Sequence, residues 1–183
     1  PAYHGYYESM KTWMKAFDAN VFLSDNYQDI NFARENGITK NILIPNGAAS
    51  DEFENITADN FREKMKIGKD ELMILHVGTY TGVKGHREAL DIFIRSAVKN
   101  ATLVLIGDKI KYLEKALQRH YSYFGLRFKN LLKKKRIIFL ETDRRQTVLA
   151  FKSADLFLFP SNVECSPIVL FESMEAGLPF LSS

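Results

Sequence analysis

The stretch FKSADLFLFPSNVECSPIVLFESMEAGLPFLSS, residues 151–183, decides the fold. It enters from a helical pattern over 144–153 and runs into DLFLFP (155–160), a continuous apolar strand that Pro160 stops. Ser161 to Glu164 then reads as a loop. Ser166-Pro167 reads as a helix start, with Ser at the cap and Pro at the first helical position, where its missing N–H is harmless. The helix continues to about Ala176. Gly177 and Pro179 end it, and PFLSS (179–183) is a further strand. Helix, strand, helix and strand in close succession point to a parallel sheet covered on both faces, because the strands are apolar throughout rather than alternating.

The same alternation extends toward the amino terminus. Strand-like runs are NVFLS (20–24), NILIP (41–45), LMILHVG (72–78), TLVLIG (102–107) and RIIFLE (136–141). Helical patterns fall at about 26–36, 58–66, 84–98 and 109–124. The class expected is α/β, a Rossmann-like open parallel sheet with helices on both faces. In such sheets ligands bind beyond the carboxyl ends of the strands, so the loops after Val77, Ile106, Leu140 and Phe159 are the places to search. Asn46 to Asp51 follows a proline and reads as a turn and linker, dividing an amino-terminal segment (1–47) from a main body (48–183).

Composition supports a globular protein: 183 residues, 46% hydrophobic and 26% charged. No apolar run approaches the roughly 20 residues of a membrane span, and PAYHGYYESMK has no signal-peptide pattern. The single cysteine, Cys165, excludes an internal disulfide and a cysteine-based zinc cage, and a reducing, cytoplasmic setting is expected. The net charge is +3 and unevenly spread. Lys109 to Arg136 holds ten Lys/Arg against one Glu, a local +9, which leaves −6 for all other residues. That run reads either as a solvated helix end or loop, or as an attraction to anionic phospholipid at the inner face of a membrane. Nucleic acid is not expected, since no recognition motif accompanies the run.

The first ligand-facing loop reads Gly78-Thr79-Tyr80-Thr81-Gly82-Val83-Lys84-Gly85-His86. Glycines allow close backbone approach to a ligand. A helix start near Lys84 would aim N–H groups at the same place, and the lysine adds a mobile charge. Such a loop suits a phosphate or diphosphate, although a plain strand-to-helix turn looks similar. Its spacing matches neither G-x-G-x-x-G nor the P-loop.

Glu164 and Glu172 bracket the helix start with seven residues between them. On the helix circumference Glu172 falls between Ile168 and Val169. An unpaired buried carboxylate costs several kcal/mol, so it must face a polar pocket or have a partner such as a Lys or Arg of a neighbouring helix. Glu164 is either a solvated loop residue or part of the same cleft. An acid/base couple is a third reading.

Taken together, IPNGAASDEF (44–53), HVGTYTGVKGH (76–86), LVLIGD (103–108) and residues 151–183 resemble the donor-binding half of retaining glycosyltransferases of the GT-B fold, in particular the family 4 type. The principal signature there is Glu, seven residues, a second Glu, then Ala/Ser-Met-x-x-Gly-x-Pro. In this sequence it is Glu164, Glu172 and Ser173-Met174-Glu175-Ala176-Gly177-Leu178-Pro179. The resemblance spans about Asn20 to Ser183. It implies a hexosyltransferase taking a UDP-, GDP- or ADP-sugar, with no cofactor and no metal, and a glycan or lipid-linked acceptor, as in polysaccharide biosynthesis.

By that resemblance Glu172 would hold the ribose hydroxyls, Glu164 would contact the donor sugar near the reacting face, and Lys84 would neutralise the diphosphate leaving group. Gly78 and Thr79 would lie at the donor. Backbone groups of Cys165, Ser166, Pro167 (which has no N–H) and Ile168 would lie near sugar hydroxyls or phosphate, and Gly107 and Glu141 near the base. Thr79 stands where the family usually has an arginine, with His86 and Arg87 as neighbouring candidates for its charge. Residues 1–47 resemble only the last strand–helix–strand portion of the family's acceptor-side half, and the chain stops before its usual final helices. A piece that binds donor weakly without turnover is therefore expected. A GT-B epimerase or phosphorylase and a non-catalytic nucleotide-sugar-binding module are the alternatives.

Overall fold

The computed structural model describes residues 4–56, 60–80, 82–108 and 134–183. The chain forms two compact units, Pro1–Gly47 with Glu164–Ile168, and Ala48–Val163 with Val169–Ser183.

In the first unit, helix α1 (His4–Ala16) precedes strand β1 (Asn20–Phe22), helix α2 (Gln28–Glu35) and strand β2 (Asn41–Leu43). β1 and β2 pair in parallel, Asn20 opposite Asn41. Met14, Phe22, Ile30, Ala33 and Ile38 form the core. The buried Asn20 amide donates to the Met14 carbonyl at 2.8 Å, which ties the start of β1 to the end of α1. The sequence pattern assigned no element to α1. Its glycine and tyrosines at 5–7 obscure the i, i+4 pair Met10 and Met14 that carries its apolar side.

The second unit contains short helices α3 (Ser50–Glu54) and α4 (Phe61–Lys64), strand β3 (Leu72–Val77), helix α5 (His86–Arg95) and strands β4 (Ala101–Ile106) and β5 (Lys135–Leu140). Helix α6 (Arg144–Ser153), strand β6 (Leu156–Phe159), helix α7 (Ile168–Glu175, whose first residue belongs to the first unit) and strand β7 (Phe180–Ser182) follow. The five strands form one parallel sheet in the order β5-β4-β3-β6-β7. Every strand expected from the sequence is present within one or two residues. The turn-like stretch 46–51 differs, since its end begins α3. The helix expected at 109–124 lies outside the described residues.

Continuous apolar strands are explained by two cores. Successive side chains of a strand point to opposite faces. Met73, Leu75, Val104, Ile106, Phe157 and Phe159 meet Phe61 and Phe151 on one face. Ile74, Leu103, Leu105 and Leu158 meet Leu90 and Phe93 of α5 on the other. All six residues of β4 are buried. The chain moves outward from β3 to β4 and β5, then returns to the opposite side of β3 as β6. The carboxyl ends of β3 and β6 therefore form the topological switch point, where open α/β sheets bind ligands.

Most of the basic run, residues 109–133, lies outside the described residues. At its described end Lys134 is exposed, Arg136 is half-buried, and Lys135 alone departs from the expected solvated surface. Lys135 is buried, and its ammonium donates to the carbonyls of Phe93 (2.5 Å) and Ser96 (2.9 Å) and to the Ser96 hydroxyl (2.8 Å), at the end of α5. A cation there complements the negative end of the helix dipole. Arg136 donates to the carbonyls of Met65 (3.0 Å) and Lys66 (2.8 Å) and pairs with Glu71 at 3.7 Å. Among the described residues no helix is long and apolar enough to cross a membrane.

Candidate active site

At the carboxyl edge of the sheet the ends of β3, β4 and β5 stand in register, Val77 beside Ile106 beside Leu140. Gly78, Gly107 and Glu141 are the next residues of the three strands. The Gly78 N–H donates to the Ile106 carbonyl (2.9 Å) and the Gly107 N–H to the Leu140 carbonyl (3.1 Å). Gly107 lies so close to its neighbour that a Cβ there would stand 1.8 Å from the Gly78 carbonyl oxygen. Thr79 and Glu141 are exposed.

Lys84 is half-buried, and its stem lies over Gly78, where a Cβ would be 3.3 Å from that of Lys84. The helix begins at His86, two residues later than the position expected from the sequence, with Gly85 at its cap in the left-handed region (φ 74°). Gly85 is also the point where the loops after β3 and β6 touch, for a Cβ would fall 1.9 Å from the Pro160 carbonyl oxygen. The Asn162 N–H (3.0 Å) and the Ser161 hydroxyl (3.1 Å) donate to the Val83 carbonyl and hold the two loops together.

Two histidines support this loop from beneath. His76 Nδ1 donates to the Leu158 carbonyl (2.8 Å) and His86 Nε2 to the Gly78 carbonyl (2.9 Å). Their rings meet edge to face at 4.5 Å, and their other nitrogens are buried without a hydrogen-bond partner. Burial, then the neighbouring His86, hold the His76 pKa down at about 3, against a weaker opposing effect of the Leu158 carbonyl. Burial also lowers His86, although its bond to Gly78 and the charge of Glu88 oppose this. A histidine held neutral in the fold contributes stability that is present above its unfolded value of 6.5 and is lost as pH falls below it. The unfolding free energy is therefore expected to drop between pH 6.5 and 5 by about 1.4 kcal/mol per pH unit for His76 alone. His76→Leu should flatten that slope in urea titrations; an unchanged slope would refute the assignment.

Glu172, on α7, is only 5% exposed. Of the two outcomes open to it, a polar pocket or a partner, the structure supplies a partner: Arg144, the first residue of α6, whose Nη1 lies 2.6 Å from Glu172 Oε1. The same guanidinium donates through Nε (2.7 Å) and Nη2 (2.5 Å) to Glu52 Oε2 on α3. Burial opposes the Arg144 charge. The hydrogen bond to Glu52 and then the charge of Glu172 outweigh it, so the pKa of the guanidinium is raised. Through Arg144, Glu172 is tied to the segment that leaves β5.

Glu164, Cys165, Ser166, Pro167 and Ile168 belong to the first unit. There the Asn46 side-chain amide donates to the Ser166 carbonyl at 2.7 Å, and Glu164, Cys165, Ser166 and Pro167 are half-buried while Ile168 is exposed. Burial, then the charge of Asp29, raise the Cys165 thiol pKa, which argues against a reactive thiolate. The structure thus gathers Gly78, Thr79, Lys84, Gly107 and Glu141 on one edge of the sheet and ties Glu172 to that edge through Arg144.

Sequence reasoning did not single out Arg144 or Glu52 for this site. One signal was available: Arg144-Arg145 opens a helix, and cations at a helix N-terminus oppose the dipole unless carboxylates meet them. Among the described residues no group of three or more His, Cys, Asp or Glu side chains converges as a metal cage.

The model of the family described as glycosyl transferases group 1 matches residues 57–183, so the chain belongs to that family. Over 153 residues it is 34% identical to the uncharacterized glycosyltransferase MJ1607 of Methanocaldococcus jannaschii, covering 77% of this chain and 35% of that protein. It is 31% identical over 153 residues to the putative glycosyltransferase EpsF of Bacillus subtilis, covering 81% and 34%. The chain spans about a third of the length of these curated relatives. The crystal structure of Anabaena HepE in complex with UDP-glucose superposes with a TM-score of 0.72 at 16% identity, over 96% of this chain and 48% of that one. That likeness concerns the fold, which is that of a half-domain of GT-B glycosyltransferases.

Proposed function

We propose that this chain is the donor-binding part of a retaining glycosyltransferase of the family 4 type, which transfers a sugar from a nucleotide-sugar to a saccharide or lipid-linked acceptor. The observation that carries the reading is Glu172, a buried carboxylate held by an arginine and tied to the same sheet edge as Gly78, Gly107 and Lys84. A buried carboxylate is a strong acceptor for paired hydroxyls, as a ribose presents them. HepE, whose fold is similar, has been crystallised with UDP-glucose, which supports a nucleotide-sugar as ligand.

In this reading the nucleotide lies across the carboxyl ends of β3, β4 and β5, with the base toward Gly107 and Glu141 and the diphosphate toward Gly78, Thr79 and Lys84. Cys165, Ser166, Pro167 and Ile168 offer backbone groups to the sugar or phosphate, and Glu164 contacts the sugar near the reacting carbon. As the bond from the anomeric carbon to the diphosphate oxygen breaks, negative charge grows on that oxygen. Lys84 stabilises it, so in this reading the protein's own cation serves and no metal ion is required. The acceptor hydroxyl forms the new bond, and its proton leaves with the diphosphate or to water. In this reading the enzyme works in the cytoplasm, at the inner face of a membrane when its acceptor is lipid-linked.

Calorimetry with UDP, GDP and ADP and their sugars tests the reading; binding of none of them would end it. Lys84→Met is expected to weaken the preferred nucleoside diphosphate about tenfold or more while changing the monophosphate by much less, since a charge-assisted bond contributes about 1.5–3 kcal/mol. Equal losses for both would remove Lys84 from the diphosphate.

A further inference from the structure

Arg144 is placed awkwardly for every purpose except one. A cation at the start of α6 works against that helix's dipole, and the Asp143 side chain, which accepts the Gln146 N–H at 2.8 Å, already caps the helix. The guanidinium instead spans two carboxylates from different helices, Glu172 through Nη1 and Glu52 through Nε and Nη2. It lies over the Phe53 ring, 5.9 Å from its centroid. The Glu52 side of the span is itself anchored. Phe53 is buried against Phe151, and the Lys152 ammonium, on the same helix as Arg144, donates to the carbonyls of Phe53 (2.7 Å) and Ile56 (2.8 Å). Helix α3 is thus fastened to α6 near both ends of α6, and the guanidinium, although partly open to water, is held by two carboxylates and the Phe53 ring.

A planar guanidinium gripped from one side presents its remaining N–H in a fixed direction. Its Nη1 contact with Glu172 is to Oε1, and an ionised carboxylate offers about four acceptor positions, so the carboxylate is oriented yet can accept further donors. Two carboxylates and one guanidinium leave the group at −1, which favours hydroxyl donors over anions. We infer that Arg144, braced by Glu52, is a positioning residue that holds the Glu172 carboxylate for the two hydroxyls of a ribose. It thereby makes this chain discriminate ribonucleotides from nucleotides lacking those hydroxyls. The inference rests on the ribose-binding role proposed for Glu172.

The test compares affinities by calorimetry for UDP, GDP and ADP, each beside its 2′,3′-dideoxy counterpart, in the wild type, Arg144→Met and Glu52→Gln. For the nucleotide that binds, the wild type is expected to prefer the ribose form at least tenfold. In Arg144→Met the ribose form should lose about tenfold and the dideoxy form almost nothing, so that the preference falls by the same factor. Glu52→Gln, which keeps the arginine but removes the charge that braces it, should reduce the preference about threefold, and it carries the test alone if Arg144→Met does not fold. A merely structural arginine would lower the melting temperature, or weaken both nucleotides equally, with the preference intact. That result overturns the inference while leaving the nucleotide-binding reading standing. A wild type that binds a nucleotide without ribose preference overturns the role of Glu172 as well, and one that binds none overturns the proposed function with it.

Discussion

Replacing Glu172 with Gln is expected to lower the affinity for the preferred nucleoside diphosphate by at least a hundredfold, with little change in stability. Hydrogen bonds to a charged acceptor contribute about 1.5–3 kcal/mol each, and a ribose offers two, while each factor of ten corresponds to about 1.4 kcal/mol. Gln keeps the shape and one oxygen for Arg144, but its amide nitrogen can no longer accept a second hydroxyl. Stability should change by about 1 kcal/mol or less, because Arg144 retains Glu52 and remains partly open to water. Calorimetry beside urea unfolding separates the two effects. Wild-type affinity in Glu172→Gln would mean that this carboxylate serves the fold alone, as the anchor of Arg144.

The second large effect concerns backbone. Gly107→Ala is expected to destabilise the second unit by about 3 kcal/mol or more, at the upper end of single substitutions. The added methyl would sit 1.8 Å from the Gly78 carbonyl oxygen, and that carbonyl is itself held by His86 Nε2. No flexible side chain can yield there; the ends of β3 and β4, two interior strands, must separate. Gly85→Ala should behave alike, since its Cβ would meet the Pro160 carbonyl at 1.9 Å and its backbone occupies the left-handed region. Urea unfolding monitored by circular dichroism measures both. A loss under about 1 kcal/mol in Gly107→Ala would show that the two strand ends are not rigidly apposed.

The fold was legible wherever apolar continuity carried it. Each strand of the second unit was readable because two-sided burial leaves no polar alternation to confuse the pattern. The exchange of sides between β5 and β6 is not written in any one segment, because it depends on which strand edges remain unpaired. Of the site, the loops were legible as positions and the glutamates as a spacing. That Glu172 needs either a polar pocket or a partner followed from its place among apolar neighbours. That the partner is Arg144, and that Glu52 braces it, did not follow, for the three residues are far apart in sequence and join only through tertiary packing. Lys135 misled in the opposite way. It stands in a run of charges that looks uniformly solvated, yet strand periodicity turns it inward to the end of α5.

That lysine gives the protein an internal clock for local opening. An amine-acylating reagent will modify solvent-facing lysines quickly, whereas the Lys135 ammonium becomes nucleophilic only after it releases the carbonyls of Phe93 and Ser96 and loses a proton. Its labelling rate, followed by peptide mass spectrometry, therefore reports how often β5 detaches from α5, without any engineered probe.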